Sequence, residues 1–236
     1  MVYESQISFT LDTICPWTYL AKKRFKEERL ICFSNTANPA LKQFRSSPSA
    51  EDVKFTVKYF PYQLYPEASN QGEDKYKTTK YSNSEEQMRK YTTLMSAYGV
   101  GVGIDFKFHG MVANTLSAHR LIQHFQEEMG PETADKIVDS LYRQYFEEEA
   151  HPAAPTTLLQ AALDGGVERS KAEAFVGDDY EALPETKLLI REQASNGIDA
   201  VPYVVLEGKR RDFTLEGAKE VDEYLKEFDR VVKESK

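Results

Sequence analysis

Cysteine, histidine and tryptophan are scarce in this sequence, and long apolar runs are missing. Its 236 residues include two cysteines, four histidines and one tryptophan. Two cysteines cannot build a four-thiolate zinc site, and His109, His119, His124 and His151 show no ligand spacing, so no metal site is expected. In a reducing compartment the pair Cys15 and Cys32 is also poor material for a structural disulfide. No stretch approaches the roughly 18 consecutive apolar residues that a membrane span needs. The start, MVYESQISFTLDTIC, has neither the basic residues nor the apolar run of a secretory signal, so a cytoplasmic protein is expected. Basic excess is lacking too. Thirty Lys and Arg against 38 Asp and Glu give a net charge of −8, which argues against nucleic acid or an anionic membrane as partner.

What is present reads as an ordered globular chain: 41% hydrophobic and 29% charged, long enough to bury a core without staples. Gln6 to Leu11 alternates as a strand, with Ile7, Phe9 and Leu11 on one face. Cys15-Pro16-Trp17-Thr18 follows a short turn and opens a helix from Tyr19 to about Leu30, with proline in the first turn, where its missing N–H costs nothing. Ser34 to Asp52 reads as a loop with one helical turn near Pro39 to Phe44, and Val53 to Phe60 as a second strand. From about Ser82 to Asn196 the periodicity is helical. The candidates are Ser84 to Tyr98, Ala113 to Glu128, Thr133 to Glu148, Thr156 to Leu163, Ser170 to Val176 and Tyr180 to Ser195, punctuated by Gly130-Pro131, Gly165-Gly166 and Gly197. Ala200 to Leu206 and Arg211 to Leu215 form a hairpin about Glu207-Gly208-Lys209, and Gly217 to Phe228 closes as an amphipathic helix. The order β-α-β, helical block, α-β-β-α is that of an α/β thioredoxin fold with a large all-helical insertion. Residues 1–70 and 197–236 make the thioredoxin-like domain, and 71–196 the inserted helical subdomain.

The chemistry centres on Cys15. A thiolate attacks disulfides and a thiol does not, so a reactive cysteine needs a pKa below the usual value of about 8.5. The unpaired N–H groups and dipole of a helix N-terminus favour the anion, and Cys15 stands at one. Thr18, three residues on, returns to the same turn and is placed to donate its hydroxyl to the sulfur. Val201-Pro202 begins a strand where proline is disfavoured, unless its bond is cis and its backbone faces something other than a neighbouring strand. In a thioredoxin fold that turn lies opposite the first helix N-terminus, where an extended peptide or glutathione can pair with it by strand addition. Pro16, Trp17, Val201 and Pro202 are therefore the expected substrate or glutathione contacts, with Trp17 a half-exposed rim.

Asp12-Thr13-Ile14-Cys15-Pro16-Trp17-Thr18-Tyr19 resembles the D-x-x-C-P-W-C-Y signature of the DsbA-like oxidoreductases of the FrnE type. Phe60 to Pro66 is loosely similar to their P-F-x-L-N-P loop, Asn114-Thr115-Leu116-Ser117-Ala118-His119-Arg120 to their N-T-x-x-A-H-R helix, Ala200 to Tyr203 to their G-V-P-F turn, and Glu216-Gly217-Ala218 to their S-G-A. Glutathione transferase kappa and 2-hydroxychromene-2-carboxylate isomerase share this plan. The resemblance implies thiol–disulfide chemistry at Cys15, no tightly bound cofactor, and Asn114 and His119 lining the cleft; the family often dimerises, although no apolar stripe is assignable to an interface. The sequence departs from the family at Thr18, where a second cysteine normally resolves the mixed disulfide. Cys32 lies about 15 residues away, ~22 Å along a helix, and is a poor substitute. A monothiol site needs an outside thiol, and glutathione is the cytosolic candidate for co-substrate.

Two alternatives stay open. One is a glutathione-dependent transferase or isomerase in which Thr18 positions glutathione's own thiolate. The other is a thioredoxin-like protein that grips a peptide without turnover. Asp12 has no clear role, since a carboxylate near a thiolate raises its pKa. Lys22-Lys23-Arg24 and Glu147-Glu148-Glu149 read as solvated helix faces.

Overall fold

The computed structural model describes residues 2–26, 40–75 and 84–236. Cys32, the end of the first helix and the start of the following loop lie outside the described residues. The central four-stranded sheet has the order β2-β1-β5-β6, with β1 Tyr3–Leu11, β2 Val53–Pro61, β5 Tyr203–Leu206 and β6 Phe213–Glu216. β1 runs parallel to β2 (Ile7 opposite Val57, Phe9 opposite Tyr59) and antiparallel to β5 (Phe9 opposite Val204); β5 and β6 form the hairpin. β5 begins at Tyr203 rather than Ala200, because Pro202 has no N–H to give the ladder.

Alternation along β1 sorts its side chains to two faces. Phe9 meets Phe25 of α1 (Pro16–Lys26), whose ring packs edge-on against Tyr224 and Phe228 of α9 (Val221–Ser235). Phe44 of α2 (Ala40–Arg45) joins Phe55 and Phe228 on this side. Thr10, pointing the other way, bonds Gln193 of α8 (Leu183–Ser195) at 3.1 Å. α9 runs seven residues past the expected Phe228 because Val231 and Val232 continue its buried stripe. It starts at Val221, where Glu220 and Glu223 form a capping box.

Between β2 and β5 the chain is helical, as the periodicity predicts: α3 Glu85–Val102, α4 Leu116–Met129, α5 Pro131–Phe146, α6 Pro155–Asp164, α7 Arg169–Gly177, then α8. Gly130 separates α4 from α5 at φ 94°, a conformation open to glycine. Among the described residues the one addition is a two-residue strand pair, β3 Glu73–Asp74 with β4 Met111–Val112, too short to leave a periodic trace in sequence.

The basic run is not a solvated face, whereas the acidic run stays partly exposed, Glu148 at 49%. Lys22 is only 3% exposed and holds Asp135 at 3.0 Å as well as Asp139, while Tyr59 donates its hydroxyl to Asp135. Arg24 is likewise buried, bonding Glu220 at 2.7 Å and the Ala218 carbonyl at 3.1 Å. Glu147 accepts the Tyr19 hydroxyl, Glu148 pairs with Arg143, and Glu149 accepts the His109 amide at 2.8 Å. α1 is covered by α5 and by the turn before α9, so Lys22 and Arg24 are met by acids instead of water. Tyr19 stacks on Tyr142 and Phe146 of α5 across the same contact.

Candidate active site

β1 is central in the sheet, and its C-terminal end delivers Asp12 to Cys15 into a turn closed by the Cys15 N–H on the Asp12 carbonyl at 3.1 Å. Pro16 then starts α1, leaving the first amides of the helix directed at the sulfur. The Cys15 thiol donates to the Val201 carbonyl at 3.7 Å, across 186 residues of sequence. The Val201–Pro202 bond is cis. Pro202 is buried and its carbonyl accepts the Gly217 amide at 2.9 Å, tying the turn to the end of β6. Among the described residues nothing accepts the Val201 N–H, and its carbonyl faces the sulfur.

The sulfur's charge state differs from the expectation. Cys15 is 4% exposed, and burial pushes its thiol up to about 11; the nearby Asp12 carboxylate pushes the same way. The Thr18 and Trp17 amides pull downward, as a helix start should, but they do not outweigh the loss of water. The Thr18 hydroxyl contributes least. Its single proton has two carbonyl acceptors, Cys15 at 2.7 Å and Asp12 at 2.9 Å, so Thr18 latches the turn and does not serve chiefly as a donor to sulfur. At rest Cys15 is a protonated thiol.

The other expected contacts divide. Trp17 is half-buried at the rim, edge-on to Tyr98 at 5.6 Å, and Pro16 is buried in the wall of a cavity. Asn114 is a staple: its Oδ1 accepts from Gln63 and from the Leu116 amide, both at 2.9 Å, and its amide donates to the Pro66 carbonyl at 2.7 Å. It positions the loop after β2. His119 is fully buried and faces inward, its Nε2 3.4 Å from Asp12 Oδ1, with poor hydrogen-bond alignment on both atoms. It cannot touch a substrate in this conformation. Asp12, also fully buried, accepts the Leu64 amide at 2.7 Å through its other oxygen. The sequence left Asp12 without a role because its partners arrive from two distant segments. The phenols of Tyr65 and Tyr91 approach the sulfur as well, each raised by burial and then by Cys15; Tyr65 lies in the Phe60 to Pro66 loop, and no motif marks Tyr91.

Among the described residues no group of three or more His, Cys, Asp or Glu could hold a metal, and no helix is long and apolar enough to cross a membrane. The profile of the family described as DSBA-like thioredoxin domain matches residues 6–229. No curated protein sequence matches significantly. Among solved structures, a probable DsbA oxidoreductase from Streptomyces coelicolor is similar at 22% identity and TM-score 0.78, covering 98% of this chain and 91% of its own. A 2-hydroxychromene-2-carboxylate isomerase is similar at 14% identity and TM-score 0.64, with 96% and 95% covered. The cytosolic disulfide reductase DsbM from Pseudomonas aeruginosa is similar at 14% identity and TM-score 0.58, with 97% and 95% covered, and a further structure of it contains GSH.

Proposed function

The chain belongs to the DSBA-like thioredoxin domain family, and from that premise we propose that it is a monothiol thiol–disulfide oxidoreductase that works with glutathione in the cytoplasm. The observation that carries this reading is the contact between the Cys15 sulfur and the Val201 carbonyl at 3.7 Å. It sets the thiol beside a backbone residue with a free N–H, the arrangement an extended peptide needs to lie against.

The same contact supplies a reason for the protonated resting state. A hydrogen bond from the neutral thiol holds the proton on sulfur. When a substrate's backbone N–H takes the Val201 carbonyl, that bond is lost, and the Trp17 and Thr18 amides are left to stabilise the anion. The Cys15 thiolate then attacks the glutathionyl sulfur of a mixed disulfide R–S–S–G. A Cys15–S–S–G bond forms, the S–S bond of the mixed disulfide breaks, and the R–S group leaves as a thiolate that takes up a proton. A glutathione thiolate attacks the same glutathionyl sulfur, releasing oxidised glutathione and returning Cys15. Two electrons pass from glutathione to R, and no second protein cysteine is required.

Mass spectrometry after exposure to oxidised glutathione tests this. Cys15 should gain one glutathionyl group that reduced glutathione removes, and Cys15→Ser should lose it. No adduct at Cys15, with the folded protein accessible to the reagent, overturns the reading. The burial of Cys15 favours a second one, a partner-binding protein without turnover; it holds if Cys15→Ala retains ligand binding and the wild type forms no adduct. The transferase or isomerase alternative has against it the Thr18 hydroxyl, buried and committed to carbonyls.

A further inference from the structure

Behind the Cys15 turn, polar atoms are buried without a hydrogen-bond partner: Asp12 Oδ1, the Thr13 hydroxyl and both ring nitrogens of His119. Asp12 and His119 are each 0% exposed. Polar atoms removed from water are ordinarily paired, and each one left over needs a reason. A neutral imidazole carries one donor and one acceptor, and His119 leaves both unused. Among the described residues its one ionic neighbour is Asp12, with Oδ1 3.4 Å from Nε2. Arg120, next to it on α4, is turned away to the Asp178 and Glu181 carbonyls at 2.6 and 2.8 Å.

The sulfur is the third member of this group. Asp12 is near enough for its charge to oppose a thiolate at Cys15. Among the described residues, the other titratable groups that face Asp12 or the sulfur are phenols: Tyr62 and Tyr65 from the loop after β2, Tyr91 from α3 and Tyr142 from α5. Burial raises all four, so they stay neutral and supply no charge. Release of the Cys15 proton to water would therefore leave two anions, the sulfur and Asp12, where solvent is excluded. We propose that His119 takes up the proton that Cys15 releases, and so acts as a positioning residue that balances the thiolate from behind without touching substrate. This inference rests on thiol exchange at Cys15. With the proton on Nε2, His119 is an imidazolium facing Asp12 Oδ1, and both orphaned atoms gain a partner. The site then holds two anions and one cation in place of one anion, so its net charge is unchanged, which burial favours over a step that adds charge. No electrons move. An S–H bond is exchanged for an N–H bond, and the proton goes back to the departing R–S thiolate once the Cys15–S–S–G bond has formed.

The test is the rate at which oxidised glutathione modifies Cys15, followed by mass spectrometry from about pH 6 to about pH 9 in the full chain and in His119→Gln. Glutamine keeps hydrogen-bonding groups but takes up no proton in this range. In the wild type the rate should level off over part of the range, because transfer from sulfur to imidazole neither draws a proton from water nor gives one up. In His119→Gln it should climb about tenfold per pH unit throughout, and stand roughly tenfold or more below the wild type at neutral pH. A purely structural role would scale the whole profile and keep its shape. A wild-type rate that climbs without a break, or the same levelling in His119→Gln, overturns the inference while the adduct itself upholds the thiol chemistry. No wild-type adduct at any pH overturns both. Should His119→Gln not fold, Asp12→Asn decides from the other side: it keeps an acceptor for the Leu64 amide, and loss of the imidazolium's counter-charge should abolish the levelling. Levelling that survives Asp12→Asn refutes the assignment.

Discussion

Cys15 is held by two opposed influences within one turn of helix. The Trp17 and Thr18 amides favour the thiolate, while burial and the Asp12 carboxylate favour the thiol and prevail. The balance has a consequence for stability. An unfolded cysteine ionises near 8.5 and the folded one near 11. Below about pH 8.5 both states are protonated and the folded state keeps its full stability. Between the two values the unfolded chain sheds a proton that the folded chain retains, so stability falls as pH rises, at about 1.4 kcal/mol per unit and roughly 3 kcal/mol in all. Urea midpoints measured across this window should therefore fall more steeply for the wild type than for Cys15→Ala. Parallel curves would show that the sulfur is not buried as described. The position of Cys15 before Pro16 was legible in the sequence; its protonation was not, because the groups that exclude water come from Val201 and from the helices beyond β2.

α1 carries a comparable lesson at the scale of an element. Its apolar face and its proline start follow from local pattern, yet Lys22 and Arg24 point into contacts that the pattern assigns to solvent. Lys22 is 4% exposed at its side chain, Asp135 17% and Asp139 50%. Removing the lysine takes a charged partner from a largely buried carboxylate, whereas removing the half-exposed one leaves the Lys22–Asp135 pair in place. Lys22→Met should cost about 3 kcal/mol in urea denaturation, and Asp139→Asn less than about 1 kcal/mol. Equal losses would mean that Asp135 is not the principal partner. A run of three basic residues gives no hint of this, since burial of a lysine depends on what a second helix brings to it.

At the scale of the whole molecule, β2 is an edge strand whose backbone is met by side chains of the inserted helices. Gln126 Oε1 accepts the Tyr59 amide at 2.8 Å, and Gln123 and Gln126 donate to the Tyr59 carbonyl at 3.1 and 3.0 Å. The buried apolar residues form one cluster that runs from Ile7 and Phe9 through Leu121 and Phe125 to Ile137 and Leu141. We infer that residues 71–196, although inserted into the thioredoxin-like part, do not unfold apart from it. Unfolding followed by the fluorescence of Trp17, the single tryptophan, and by helical circular dichroism should give coincident midpoints. Separate midpoints would show two independent units.

Periodicity, proline and glycine placement, and the order of elements were enough to specify the sheet, the helical insertion, the cysteine at a helix start and the proline turn that faces it. These features are set by interactions within a few residues, or by a face that must be apolar whatever covers it. Tertiary structure alone decided that the Cys15 thiol keeps its proton, that His119 turns inward to Asp12, and that Lys22 is buried against Asp135. Each of these depends on the removal of water by atoms far away in sequence, and desolvation leaves no periodic signature along a chain.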